Sequence, residues 1–127
     1  MQTIQDVAAP ADRSAVVVDL IGDLDTTLGT IFADTLDRIA CTSGSSVYVS
    51  TKHVALTTRD GLARLDAALA GARSRGCAVA LHAGNRRMRV AFTFARIAWD
   101  AAAARPANQR HLMIAHRAAK PSGALTA

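Results

Sequence analysis

The residues best placed to do chemistry in this chain stand between His53 and Leu65. There the run Val54-Ala55-Leu56-Thr57-Thr58-Arg59-Asp60-Gly61-Leu62 sets two hydroxyls, a base and an acid between two apolar segments. Thr57 and Asp60 are three apart. At that spacing a cap hydroxyl and a third-position side chain satisfy the orphan N–H groups of a helix start. A helix N-terminus is electropositive and aims N–H groups outward, so it suits anions and acidic partners. Arg59 adds a base where the helix end is already positive. That placement is unfavourable by a few tenths up to about 1 kcal/mol, and local conflicts of this kind concentrate at functional surfaces. A second basic cluster, Arg86-Arg87-Met88-Arg89, follows Gly84-Asn85. It reads as a solvated helix start, with Arg86 and Arg87 as weaker candidates for anion binding.

The other reactive side chains are dispersed. Asp23 and Asp25 stand two apart after an apolar run. They suit a cation or a carboxylate pair, but turn and cap roles fit better. His53, His82, His111, His116, Cys41 and Cys77 show no metal-ligand spacing, so neither a metal nor a cofactor is expected. Both cysteines are expected as buried thiols. The chain has no nucleophile elbow and no glycine-rich phosphate loop. An enzyme is not expected; recognition is.

These side chains have to be positioned by regular elements. Ala15–Ile21 is β-branched and short, as a strand should be, and closes on Gly22-Asp23-Leu24-Asp25, a turn signal. Leu28, Ile31, Phe32, Leu36, Ile39 and Ala40 then share one helical face, capped by Asp25 or Thr26 and ended by Thr42-Ser43-Gly44-Ser45. Ser46–Thr51 is a second strand, leading through Lys52-His53 to Val54-Ala55-Leu56 and the central turn. The helix after the turn carries Leu62, Leu65, Leu69 and Ala72 on one stripe and leaves Arg64, Asp66 and Arg73 to water. It ends at Arg73-Ser74-Arg75-Gly76, bases and then glycine. Cys77–His82 is the third strand. Met88, Phe92, Ala95 and Trp99 define a third helix, widened by Val90, Phe94 and Ile97 and running through Ala101–Ala104 to stop before Pro106. His111–His116 favours a strand, and Gln2–Val7 suits a short edge strand or a loose tail.

Strand and helix alternate, which predicts an α/β fold with a largely parallel sheet and helices packed on it. We expect one domain over residues 1–120, with its core at about 15–104, and a flexible tail at 121–127. The 127 residues carry a formal charge of +5, which favours acidic partners at long range. One Tyr, one Trp and three Phe are a poor supply of stacking platforms. With no recognition helix or wide basic stripe, direct nucleic-acid binding is not expected. No apolar run is long enough to cross a bilayer, so no membrane partner is expected. Met1–Ser14 is polar, with Asp6 and Asp12, and does not read as a signal peptide. A cytoplasmic location is the expectation.

Three segments resemble the STAS family, the fold of bacterial anti-sigma-factor antagonists. Gly22-Asp23-Leu24-Asp25 after a valine-rich strand is similar to that family's Gly-x-Leu-Asp signature. Val47-Tyr48-Val49-Ser50, Val54-Ala55-Leu56 and Gly61-Leu62 resemble its strand–loop–Asp-Ser-Ser-Gly-Leu signature. Arg75-Gly76 before an apolar strand resembles the third. The resemblance covers roughly Ala15 to Ala95. It implies a STAS-like mixed, largely parallel sheet of four to five strands with three to four helices. It also implies docking onto an anti-sigma factor or related kinase-like protein, in competition with a sigma factor. The partner-binding positions carried over are Asp23, Asp25, Thr57, Thr58, Arg59, Asp60 and Gly61.

The chain departs from the family where phosphorylation acts. Aligning Gly61-Leu62 places Thr58 at the Asp, Arg59 at the phosphorylated Ser and Asp60 at the next Ser. Arg59 neither accepts phosphate in that chemistry nor mimics phosphoserine, being of opposite charge. Thr58 and Thr57 are the substitute phosphoacceptors to consider. Some STAS domains are thought to bind nucleotides or lipids, so a ligand-binding module is the alternative. A homodimer, or a structural subunit of a signalling assembly, also stays open.

Overall fold

Valine and leucine at alternate positions hold the centre of the sheet. A computed structural model describes residues 15–39, 45–100 and 110–117. It shows strand β1 (Ala15–Leu24), helix α1 (Thr26–Arg38), β2 (Ser46–Thr57), α2 (Arg59–Ser74), β3 (Ala78–His82), α3 (Arg86–Ala95) and β4 (Arg110–His116). The four strands lie in the order β3-β2-β1-β4 and every neighbouring pair is parallel. The fold is α/β, as the alternation predicts. The expected strand at Gln2–Val7, Cys41, the helix terminator at 42–44, the helical extension through Ala101–Ala104 and the tail at 121–127 lie outside the described residues.

Val16, Val18 and Leu20 of β1 and Val47 and Val49 of β2 belong to one core cluster with Leu28, Phe32 and Leu36 of α1. Leu65, Leu69 and Ala72 of α2 and Met88 and Phe92 of α3 complete it. The intervening strand residues take the other face, because side chains alternate along a strand. There Asp19 pairs with His111, and Tyr48 stacks on His82 with ring centroids 5.8 Å apart. Cys77 is a buried thiol, as expected.

Several boundaries differ from expectation. β1 does not turn at Gly22-Asp23; it runs on to Leu24. Gly22 adopts φ +104 and the register with β2 shifts twice around it, so the strand bends without ending. A Cβ at Gly22 would lie 2.0 Å from the His116 carbonyl oxygen, so only glycine admits the close approach of β4. β2 is one long strand to Thr57, with Lys52-His53 inside it. Ile31 is 38% exposed and stands off the core stripe of α1, and Leu62 is only half-buried on α2.

α3 ends at Ala95, short of the predicted length. Arg96 takes a left-handed conformation, φ 59 and ψ 38, and the chain leaves the helix there. The N–H groups of Arg96 and Ile97 donate to the carbonyls of Thr93 (3.2 Å) and Phe92 (2.9 Å), which closes the helix end. Trp99 therefore lies beyond the helix. Asp100 runs beside β3: its N–H donates to Leu81 O at 2.6 Å and its carboxylate accepts from Leu81 N at 2.9 Å.

Candidate docking surface

Among the described residues, each of the three helices begins after the carboxyl end of a parallel strand, and each begins with a side-chain cap. Asp25, Thr58 and Asn85 have extended backbones, with φ −117, −114 and −139. Each side-chain oxygen accepts from the N–H three residues on: Leu28 at 3.1 Å, Gly61 at 3.0 Å and Met88 at 2.8 Å. Such caps satisfy orphan helix donors and fix where the chain turns.

The central turn is built differently from its sequence pattern. Thr58, not Thr57, caps α2, and its own N–H donates to Leu24 O at 3.0 Å. Thr57 is the last residue of β2 and pairs with Leu24. Asp60 serves no cap. It accepts from the Thr26 hydroxyl of α1 and from Arg64 Nε at 2.9 Å. Those two donors, Thr26 first, hold its carboxyl below the usual carboxylate range. Steric demand decides Gly61: a Cβ there would sit 2.3 Å from Leu24 O, so α2 can meet the end of β1 this closely only at a glycine.

Asp25 joins this surface to the far strand. Its second carboxylate oxygen lies 3.2 Å from His116 Nε2 on β4. The Leu28 N–H, and after it His116, hold its carboxyl below the ordinary value of 3.8. A folded value depressed in this way stabilises the fold at pH above 3.8, and that contribution is lost as acid protonates the group. Asp23 lies within β1, in register with Leu56, two residues from Asp25 but outside the cap.

Arg59 opens α2 and is exposed. Among the described residues it has neither a hydrogen-bond nor an ion-pair partner. It stands at the mouth of a 670 Å³ groove between α2 and α3, whose walls include Thr57, Thr58, Leu62, Phe94 and Ile97. The structure thus brings Thr57, Thr58 and Arg59 to one opening, with an apolar floor beyond them. Asp60 and Asp25 hold the neighbouring helix starts in place. No family model, curated protein or solved structure matches this chain.

Arg86 and Arg87 open α3 beside the same groove system. Arg87 donates to Ala55 O on β2, a structural contact, whereas Arg86 has no hydrogen-bond or ion-pair partner among the described residues. Asn85 carries more of the architecture than its sequence position suggests. β3 stops at His82, opposite Ser50, so β2 continues from Thr51 without that neighbour. The Asn85 amide donates to the carbonyls of Thr51, Lys52 and Val54 at 3.3, 3.1 and 3.3 Å, replacing the missing strand. A cap signal, Asn directly before a helix start, marks this residue in the sequence. Phe94 and His116 had no such signal; their roles depend on long-range placement. Among the described residues, no group of three His, Cys, Asp or Glu side chains converges on a metal-binding arrangement.

Proposed function

We propose that this domain is a cytoplasmic protein-interaction module of the anti-sigma-factor-antagonist kind. It docks through the Thr57–Gly61 turn onto an anti-sigma factor or related kinase-like protein and so frees a sigma factor for transcription. One observation carries the reading: Arg59, exposed and unpaired among the described residues, stands over an apolar groove at a helix N-terminus. A base in that position repels the helix dipole, and a partner's acid would supply the counter-charge it lacks. The order of the three sequence motifs supports the class of partner. Recognition is by charge and shape, with no bond made or broken by this chain.

The usual serine switch has no place at Arg59. If phosphate enters this turn, Thr58 receives it, since it is an exposed residue at a helix N-terminus, where a phosphate is stabilised. Affinity capture of candidate anti-sigma factors tests the reading. Arg59→Glu should weaken retention by about tenfold or more, the effect of reversing a central interfacial charge. Arg59→Ser should become a substrate for the partner kinase, read by mass spectrometry. A partner whose affinity ignores every change from Thr57 to Asp60 contradicts the assignment.

The groove also supports a second reading. Its 670 Å³ falls within the size range of small-molecule sites. A nucleotide or acyl ligand bound there would raise the melting temperature with concentration; a docking module alone would not respond.

A further inference from the structure

We propose that the outward face of α3 is a peripheral attachment site for an anionic lipid surface. α3 has apolar residues on two faces. Met88 and Phe92 are fully buried, whereas Phe94 is 85% exposed and Val90, one turn before it, 47% exposed. Phe94 is a wall shared by two depressions, of 670 and 680 Å³. Arg59 lines one of them, and Arg86 and Arg89 line the other together with Val90 and Trp99. The protruding ring therefore has guanidinium groups on both sides. α3 contains no acidic residue, and Asp66 is the sole acid in either lining.

The bases are available. Arg59, Arg86 and Arg96 have no hydrogen-bond or ion-pair partner among the described residues. Arg89 reaches Ala83 O with one N–H at 3.4 Å, which leaves its remaining donors for another acceptor. Trp99 lies alongside, its indole nitrogen 3.5 Å from the Thr93 hydroxyl. An aromatic wedge at acyl depth, with arginines at headgroup level, supplies the two signals that peripheral attachment needs. Three arginines against one acid around an exposed aromatic complement an anionic lipid surface. The expectation of no membrane partner rested on the absence of a spanning segment, and attachment at the interface needs none.

Sedimentation with lipid vesicles tests this. Wild-type protein should pellet with phosphatidylcholine vesicles containing about one-third phosphatidylserine, remain in solution with pure phosphatidylcholine, and be released by salt. Phe94→Ser, and separately Arg86→Glu with Arg89→Glu, should each lower the bound fraction about tenfold. All three positions are exposed, so circular dichroism should report an unchanged fold. Wild-type protein that stays in solution with phosphatidylserine vesicles overturns the proposal, as does binding that Phe94→Ser leaves intact. Retention on polyglutamate without vesicle binding assigns the face to an acidic protein and also overturns it. Partner capture through Arg59 is read without lipid, so either inference can fail alone.

Discussion

Helices α2 and α3 start in the same way and end differently in purpose. Both follow β2 or its neighbour, and both are capped by a side-chain oxygen that accepts from the N–H three residues on. α2 then buries Gly61, Leu65, Leu69 and Ala72 on one stripe and gives its polar residues to water. α3 buries only Met88 and Phe92, and leaves Val90 and Phe94 outside. The C-termini repeat the contrast. Each closes with the same pair of backbone hydrogen bonds, Gly76 and Cys77 onto Arg73 and Ala72, Arg96 and Ile97 onto Thr93 and Phe92. The left-handed residue is Gly76 in one, at φ 90, and Arg96 in the other, at φ 59. α2 follows the rules of a packing helix. α3 breaks two of them, an exposed aromatic and a strained arginine, within three residues of each other.

Truncation inside α3 should give the largest effect. Phe92→Ala removes a fully buried ring and should cost about 3–5 kcal/mol, whereas Phe94→Ala should stay within about 0.5 kcal/mol. Chemical denaturation of the two variants measures the difference. Equal losses would mean that both rings are packed, and the contrast with α2 would go.

The caps sharpen the comparison next. Thr58→Ala should cost about 1 kcal/mol, the ordinary loss of an N-cap. Asn85→Ala should cost about 2 kcal/mol, because it also strips the amide from three β2 carbonyls. Urea midpoints for the two variants settle the order. The smallest effect belongs to the helix ends. Arg96→Gly should stabilise the domain by about 1 kcal/mol by relieving a left-handed side chain, and Gly76→Ala should destabilise it by a similar amount. Opposite shifts in melting temperature are the expected result.

Much of this frame was legible in the sequence. The short β-branched run of β1 and the helical leucine spacing of α2 each point to one element type, so that much followed directly. Arg75-Gly76 marked the end of α2 for a stated reason, the left-handed cap. The end of α3 was not legible, because an arginine in that conformation carries no compositional mark. The exposure of Phe94 was hidden for a related cause: hydropathy shows that a residue is apolar, not which face of a doubly apolar helix meets the core. Lys52-His53 read as a link between the second strand and Val54-Ala55-Leu56. They lie in a strand because β1 pairs alongside, Ile21 with His53, and Asn85, remote in sequence, donates to the carbonyls of Thr51, Lys52 and Val54 where β3 has stopped. At the candidate surface, spacing marked Thr57 and Asp60 and the family resemblance marked Thr58 and Gly61, while contacts to Leu24 and Thr26 set their tasks. Those contacts depend on β1 continuing past Gly22, where composition pointed to a turn.

The central claim is that the start of α2 and the end of α3 face solvent together, free to meet another molecule. Paramagnetic broadening of amide NMR signals by a soluble probe tests it most directly. The account predicts strong broadening at Thr58–Asp60 and at Phe94–Arg96, with Gly61, Leu65 and Phe92 protected. Protection of Arg59 and Phe94 equal to that of Leu65 would contradict it.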